Sequence, residues 1–135
     1  KVNLSGCINL SDESVLAIVR LHGQSIKVLN LDSCRKISDA SLFALSGNCP
    51  LLYDLDFSNC AITDSGIAVL SSSKGLNLQI LSISGCSRIS NKSLPYLIKL
   101  GKGGLMGLNL KHCSSLGVTT VDMLVGNLCR CDILC

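Results

Sequence analysis

The chain has 135 residues, 47% hydrophobic, 16% charged and 3% aromatic, with no tryptophan and a formal net charge of +3. That is one domain's worth of chain with a real core, and its apolar content excludes an intrinsically disordered polypeptide. The charge is too weak and scattered for a nucleic-acid or anionic-membrane partner, and no apolar run approaches the ~18 residues of a membrane span.

Five cysteines recur in register, Cys7, Cys34, Cys60, Cys86 and Cys113, each 26 or 27 residues from the next. The surrounding pattern is clearest from Leu78 to Leu94: an apolar residue, two variable ones, an apolar-x-apolar step, two small or polar residues, then cysteine. A period of this length carrying L-x-x-L-x-L-x-x-C is the signature of leucine-rich repeats. It predicts an α/β solenoid of about five repeats, right-handed, with parallel strands on the concave face and helices on the convex face. The repeats fall near residues 1–25, 26–50, 51–77, 78–104 and 105–128, and residues 129–135 are expected to cap the C-terminal end, where the period breaks.

Repeat one begins inside its strand, Val2-Asn3-Leu4, and passes Cys7 and Leu10 into a helix with Val15 and Ile18 inward. Its upstream part is missing and terminal repeats normally carry a polar cap, so the chain is expected to be the C-terminal piece of a longer array. Repeat two turns Ile26, Leu29, Leu31, Cys34 and Ile37 inward, then Leu42 and Leu45 from its helix. Repeat three uses Leu52, Leu55, Phe57, Cys60 and Ile62, one residue shorter after its cysteine, then Ile67 and Leu70. In repeat four Leu94 and Leu97 face inward and Pro95 falls near the first helical turn, where proline does least damage. Repeat five keeps Leu105, Leu108, Leu110, Cys113 and Leu116, but Gly117-Val118 replaces the usual Ser-Asp pair, leaving Thr119 or Thr120 as the capping candidate. Asp12, Asp39, Asp64 and Asn91 are N-cap types, expected to accept from amides of the helix each introduces.

Catalytic chemistry finds little support. His22 and His112 lie in the first and last repeats, and His112 beside Cys113 reads as two adjacent strand residues pointing to opposite faces. The repeat cysteines serve as small apolar groups and are expected to be free, reduced and buried, which implies a reducing compartment, nucleus or cytoplasm. Cys129-x-Cys131-x3-Cys135 offers three thiols at a spacing unlike that of zinc sites, and packing within the cap is the preferred reading. No cofactor, metal or enzymatic role is expected.

The inner surface remains. Strand residues facing away from the core form one column of Asn3, Asn30, Asp56, Ser82 and Asn109, and a second of Ser5, Asp32, Ser58, Ser84 and Lys111; Val28, Asp54, Ile80 and Gly107 widen it. Curved solenoid faces bind proteins. Asn30, Asp32, Asp54, Asp56, Ser82, Ser84, Asn109 and Lys111 are the candidate partner-binding residues, with three carboxylates near the centre.

The repeat running from Asn30-Leu31 through Cys34 and Ser38-Asp39 to Leu42 resembles those of F-box proteins, substrate receptors of cullin-based (SCF-type) ubiquitin ligases. Leu94-Pro95-Tyr96-Leu97, Gly107-Leu108-Asn109-Leu110, His112-Cys113, Thr120-Val121-Asp122 and Arg130-Cys131-Asp132-Ile133-Leu134 resemble the C-terminus of plant F-box proteins that bind ethylene-response transcription factors. The resemblance implies nuclear capture of such a factor for ubiquitination and proteasomal degradation. The adaptor-docking F-box is not in this sequence, so this stretch alone would bind a substrate without delivering it. A plain interaction scaffold of the same repeats is the alternative.

Overall fold

A computed structural model describes all residues, Lys1–Cys135. Six short strands, β1 (Val2–Asn3), β2 (Val28–Asn30), β3 (Asp54–Asp56), β4 (Ile80–Ser82), β5 (Gly107–Asn109) and β6 (Asp132–Leu134), form one sheet in chain order, every neighbouring pair parallel. Between them run α1 (Asp12–His22), α2 (Asp39–Leu45), α3 (Asp64–Ser72), α4 (Leu94–Lys102) and α5 (Val118–Asn127), each packed on the next. Parallel strands lie about 4.8 Å apart whereas packed helices need about 8–10 Å, so the stack bends with its sheet inside.

The register repeats without slippage: Leu29 pairs with Leu55, Leu55 with Leu81, Leu81 with Leu108 and Leu108 with Ile133. This central position and the two flanking it build continuous buried columns, Ile26-Leu52-Leu78-Leu105 and Leu31-Phe57-Ile83-Leu110. Each repeat covers the apolar face of the one before, so no unit is stable alone. The tail supplies β6, a sixth strand along the edge of β5, with Leu128 and Cys131 buried behind it.

Cys34, Cys60, Cys86 and Cys113 are buried, and each thiol donates to a backbone carbonyl of the preceding repeat: Leu4, Leu31, Phe57 and Ile83, at 3.1, 3.0, 3.3 and 3.1 Å. Cysteine here combines an apolar body with one weak donor, which the sharp turn after each strand requires. Burial pushes the Cys60 and Cys86 thiols up to about 12. The expectation of uniformly buried repeat cysteines fails at Cys7, which is exposed in the first repeat of the stack.

The capping expectation is corrected in a way that matters for cohesion. Ser38, Thr63 and Ser90 occupy the cap positions, their hydroxyls accepting from Ala40, Ser65 and Lys92 amides at 3.3–3.4 Å. The acids instead reach across to the next repeat. Asp12 Oδ1 accepts from the Ser38 N–H at 2.9 Å and from the Ser41 hydroxyl at 2.6 Å. Asp39 takes the N–H and hydroxyl of Thr63. Asn91 Oδ1 accepts from the Gly117 N–H at 2.8 Å and the Thr120 hydroxyl at 2.7 Å. Thr120 is therefore a rung between repeats, and Gly117 sits at the cap of α5 with no side-chain bond.

Two smaller departures are local. In α1 Val19 joins Val15 in the core as a one-turn i, i+4 pair, while Ile18 is half-buried and packed against the same core. In repeat four a 3-10 turn (Asn91–Ser93) precedes α4, so Ser93 enters the core and Leu94 is only half-buried.

Candidate functional site: the open face of the sheet

The strand register places Asn30, Asp56, Ser82 and Asn109 side by side, and Val28, Asp54, Ile80 and Gly107 beside them. Both rows alternate with the buried leucines and so lie on the face away from the helices. The first row is partly committed to the fold: Asn30, Asp56 and Asn109 accept through Oδ1 from the amides of Asp32, Ser58 and Lys111 at 2.9, 2.8 and 3.1 Å. Each closes the turn that ends its strand. Ser82 Oγ lies 2.7 Å from Ser58 Oγ, and Ser58 is buried rather than displayed.

Asp32, Ser84 and Lys111 belong to the turns after the strands, not to the strands themselves. Asp32 Oδ1 accepts from the Ser33 hydroxyl at 3.0 Å and from Asn59 Nδ2 at 2.9 Å. Ser84 donates to the Lys111 carbonyl at 2.8 Å. These turns need a left-handed residue just before each repeat cysteine: Gly6 (φ 75°), Ser33 (62°), Asn59 (56°), Gly85 (70°) and His112 (62°). His112 is thus a turn residue, which corrects the strand reading. At Gly85 a β-carbon would stand 2.1 Å from Asn59 Oδ1, so glycine also makes room for the Asn59 bridge.

Electrostatically the centre is acidic. Burial pushes the Asp54 carboxyl above its ordinary value, Asp56 two residues on pushes the same way, and Lys1 opposes both. Around it lie exposed apolar side chains: Ile80 at 44% exposure on β4, Tyr53 at 38% just before β3, and Met106 at 60% just before β5. Tyr53 and Met106 escaped the sequence reading because strand alternation assigns a face only within the strand, and both stand at its entrance. Their spacing with Lys27 and Gln79, one residue ahead of each strand, is the signal that could have found them.

At the tail, Cys131 is buried while Cys129 and Cys135 are exposed, and no three His, Cys, Asp or Glu side chains gather as a metal site. No helix is long and apolar enough to cross a membrane.

The family profile described as "Leucine Rich repeat" matches residues 22–46 and 48–71. With the six-stranded parallel sheet, that decides the architecture. The fold is a leucine-rich-repeat solenoid. Among curated proteins, the antagonist of mitotic exit network protein 1 of Saccharomyces cerevisiae is 32% identical, over 72% of this chain and 18% of its own. The protein of the same name in Candida glabrata is 30% identical over 71% of this chain and 19% of its own. That of Eremothecium gossypii is 25% identical over 59% of this chain and 28% of its own. The solenoid thus spans less than a third of the length of each of these relatives. Leucine-rich repeats typically serve as interaction modules, offering extended concave surfaces, and a protein partner is the ligand class this solenoid suits.

Proposed function

We propose that this solenoid captures a protein segment on the open face of its sheet, and that the segment is basic with apolar anchors. The observation that carries this is the pair Asp54 and Asp56 on β3, at the middle of the array, beside exposed Tyr53 and Ile80. Two carboxylates so close repel one another, and a cationic side chain would relieve that repulsion. Aromatic and aliphatic anchors next to a charge pair are the chemistry of protein hot spots. Asn30, Asp32, Ser82, Ser84, Asn109 and Lys111 would frame the footprint.

The fuller reading is that the array is the substrate-receiving end of an F-box subunit of a ubiquitin ligase, acting in the nucleus on an ethylene-response transcription factor. Its support is the repeat from Asn30 to Leu42 and the tail from Arg130 to Leu134, with the basic segments that DNA-binding factors carry. The alternative is an interaction scaffold without a ligase role. It is favoured by the fungal relatives, whose name describes antagonism of a network, an action that binding alone can exert.

The test is capture of the candidate factor by the full-length parent protein. Asp54→Asn with Asp56→Asn should weaken capture about tenfold or more, as loss of charge-assisted contacts does, with the effect shrinking at high salt. The Asp56→Asn change is structurally mild, because Asn30 and Asn109 already close the same turn with an amide oxygen. Unchanged capture would place the binding surface elsewhere. Co-purification of the parent with a ligase adaptor decides between receptor and scaffold.

A further inference from the structure

The loop following each repeat cysteine forms a ridge along one edge of the sheet. Two residues separate cysteine from the next core residue in Cys34-Arg35-Lys36-Ile37, in Cys86-Ser87-Arg88-Ile89 and in Cys113-Ser114-Ser115-Leu116, but only Ala61 separates Cys60 from Ile62. The missing residue draws Ala61 inward: its N–H donates to the Ile37 carbonyl at 2.9 Å, and it forms an isolated parallel bridge with Ser38. The ridge is therefore notched at its centre. The recess has a volume of about 340 Å³ and is walled by Arg35 from the repeat before and Arg88 from the repeat after. Asn59, Cys60, Ala61, Gly85 and Ser87 complete it, and no acid is among its lining residues. The nearest carboxylate in the hydrogen-bond network, Asp32, has Oδ1 occupied by Ser33 and Asn59.

We propose that this notch is an anion subsite that takes the phosphoryl group of a phosphorylated serine or threonine on a protein partner. Two exposed arginines, from the repeats on either side of a polar recess, match a tetrahedral dianion, whose three free oxygens can accept from more than one donor at once. A carboxylate is planar and carries one charge, so a single arginine satisfies it. Arginine suits this role better than lysine, since its planar fork can donate two parallel hydrogen bonds to the bound oxyanion. Nearby Lys36, also exposed, adds to the positive field. The notch lies on the ridge and not on the acidic sheet, so the partner segment would carry basic residues for Asp54 and Asp56 and a phosphate further along. This inference rests on the solenoid being a protein-binding array, and it does not depend on the acidic face being the site.

The experiment is a titration of the isotopically labelled chain, followed through backbone amide signals. The probes are N-acetyl-phosphoserine amide, N-acetylserine amide, N-acetylaspartate amide and inorganic phosphate. The phosphoserine derivative should give saturable shifts centred on Asn59, Ala61 and Gly85, and should bind more tightly than the other three. Arg35→Gln and Arg88→Gln should each weaken it about tenfold, the usual effect of removing a charge-assisted donor. Inserting a serine after Ala61, which fills the notch without changing charge, should abolish the shifts. Asp54→Asn with Asp56→Asn should leave this titration unchanged, so the notch and the acidic face can fail separately. Equal binding of inorganic phosphate would make the notch a free-anion site and overturn the assignment to a partner's side chain. Equal binding of the aspartate derivative, or shifts indifferent to both arginine changes, would overturn the phosphoryl assignment itself.

Discussion

Ser90 gives its backbone N–H to Asp64 Oδ1 at 2.9 Å and its hydroxyl to Oδ2 at 2.6 Å, across a sequence separation of 26 residues. The Ser93 hydroxyl, buried in the next turn, joins the same carboxylate. One side chain thus satisfies the orphan amide at the start of the following helix and a buried hydroxyl behind it. In a one-dimensional stack such rungs hold the helical side of each repeat to its neighbour, as strand pairing holds the other.

Asp64→Ala should therefore destabilise the whole array by about 1–3 kcal/mol, because it strands an amide and a buried hydroxyl in the next repeat. Asp64→Asn should cost less, since Asn91 carries out the same role with a single oxygen. Urea denaturation of the two variants checks the order. Equal losses would mean that the negative charge, and not the acceptor oxygen, is what the rung needs.

Acid should loosen the same rungs. Burial pushes the Asp12 and Asp64 carboxyls up, but hydrogen bonds from Ser38 and Ser41 to Asp12, and from Ser90 and Ser93 to Asp64 together with the positive charge of Lys92, outweigh it and leave both below the ordinary value. A lowered folded-state value gives stability that is present above the unfolded-state value of about 3.9 and lost as pH falls from there through the lower folded-state value. The urea midpoint should drop as pH falls from about 5 towards 2, and Asp64→Asn should flatten part of that slope. A midpoint independent of pH across that window would contradict the rungs.

Thiol chemistry gives a map of the stack. Cys7, Cys129 and Cys135 are exposed and should react with a maleimide in the native state. Cys60 and Cys86, raised to about 12 by burial, should react only after denaturation, since the thiolate is the nucleophile. Mass spectrometry of labelled peptides reads the order. Native labelling of Cys60 as readily as Cys7 would show that the core is not as described.

The sequence pattern made the solenoid legible because periodicity is a property of the chain that stacking must respect. Leu29, Leu55, Leu81 and Leu108 could be aligned without coordinates, and the register repeats them. Cross-repeat bonds were less legible. Asp12 before a helix is a capping residue by every local rule, and only the neighbouring repeat shows that its carboxylate faces Ser38. The same limit hid the turn role of His112, for the left-handed position is plain at Gly6 and Gly85 but masked at Ser33 and His112. At the candidate face, the alternation found Asp54 and Asp56; it could not show that Asn30 and Asn109 are spent on their own turns.

The charge on Asp54 should be a cost to the free protein. Its carboxyl is raised by burial and then by Asp56, with Lys1 pulling the other way. A raised folded-state value gives stability that is full below the unfolded value near about 3.9 and is lost as pH rises through the folded value. At neutral pH the native state therefore carries an unfavourable charge, which an amide would remove. Asp54→Asn should raise the melting temperature at pH 7, and the gain should vanish in acid, where the parent carboxyl is itself neutral. If the gain instead persisted unchanged in acid, its origin would be packing rather than charge. The partner's effect follows from the same sign: a bound cationic segment should favour the ionised carboxylate, so capture should strengthen as pH rises through the Asp54 value and Asp54→Asn should abolish that dependence. Pull-down at several pH values with parent and variant measures it, and a parent profile no steeper than the variant's would remove Asp54 from the binding face.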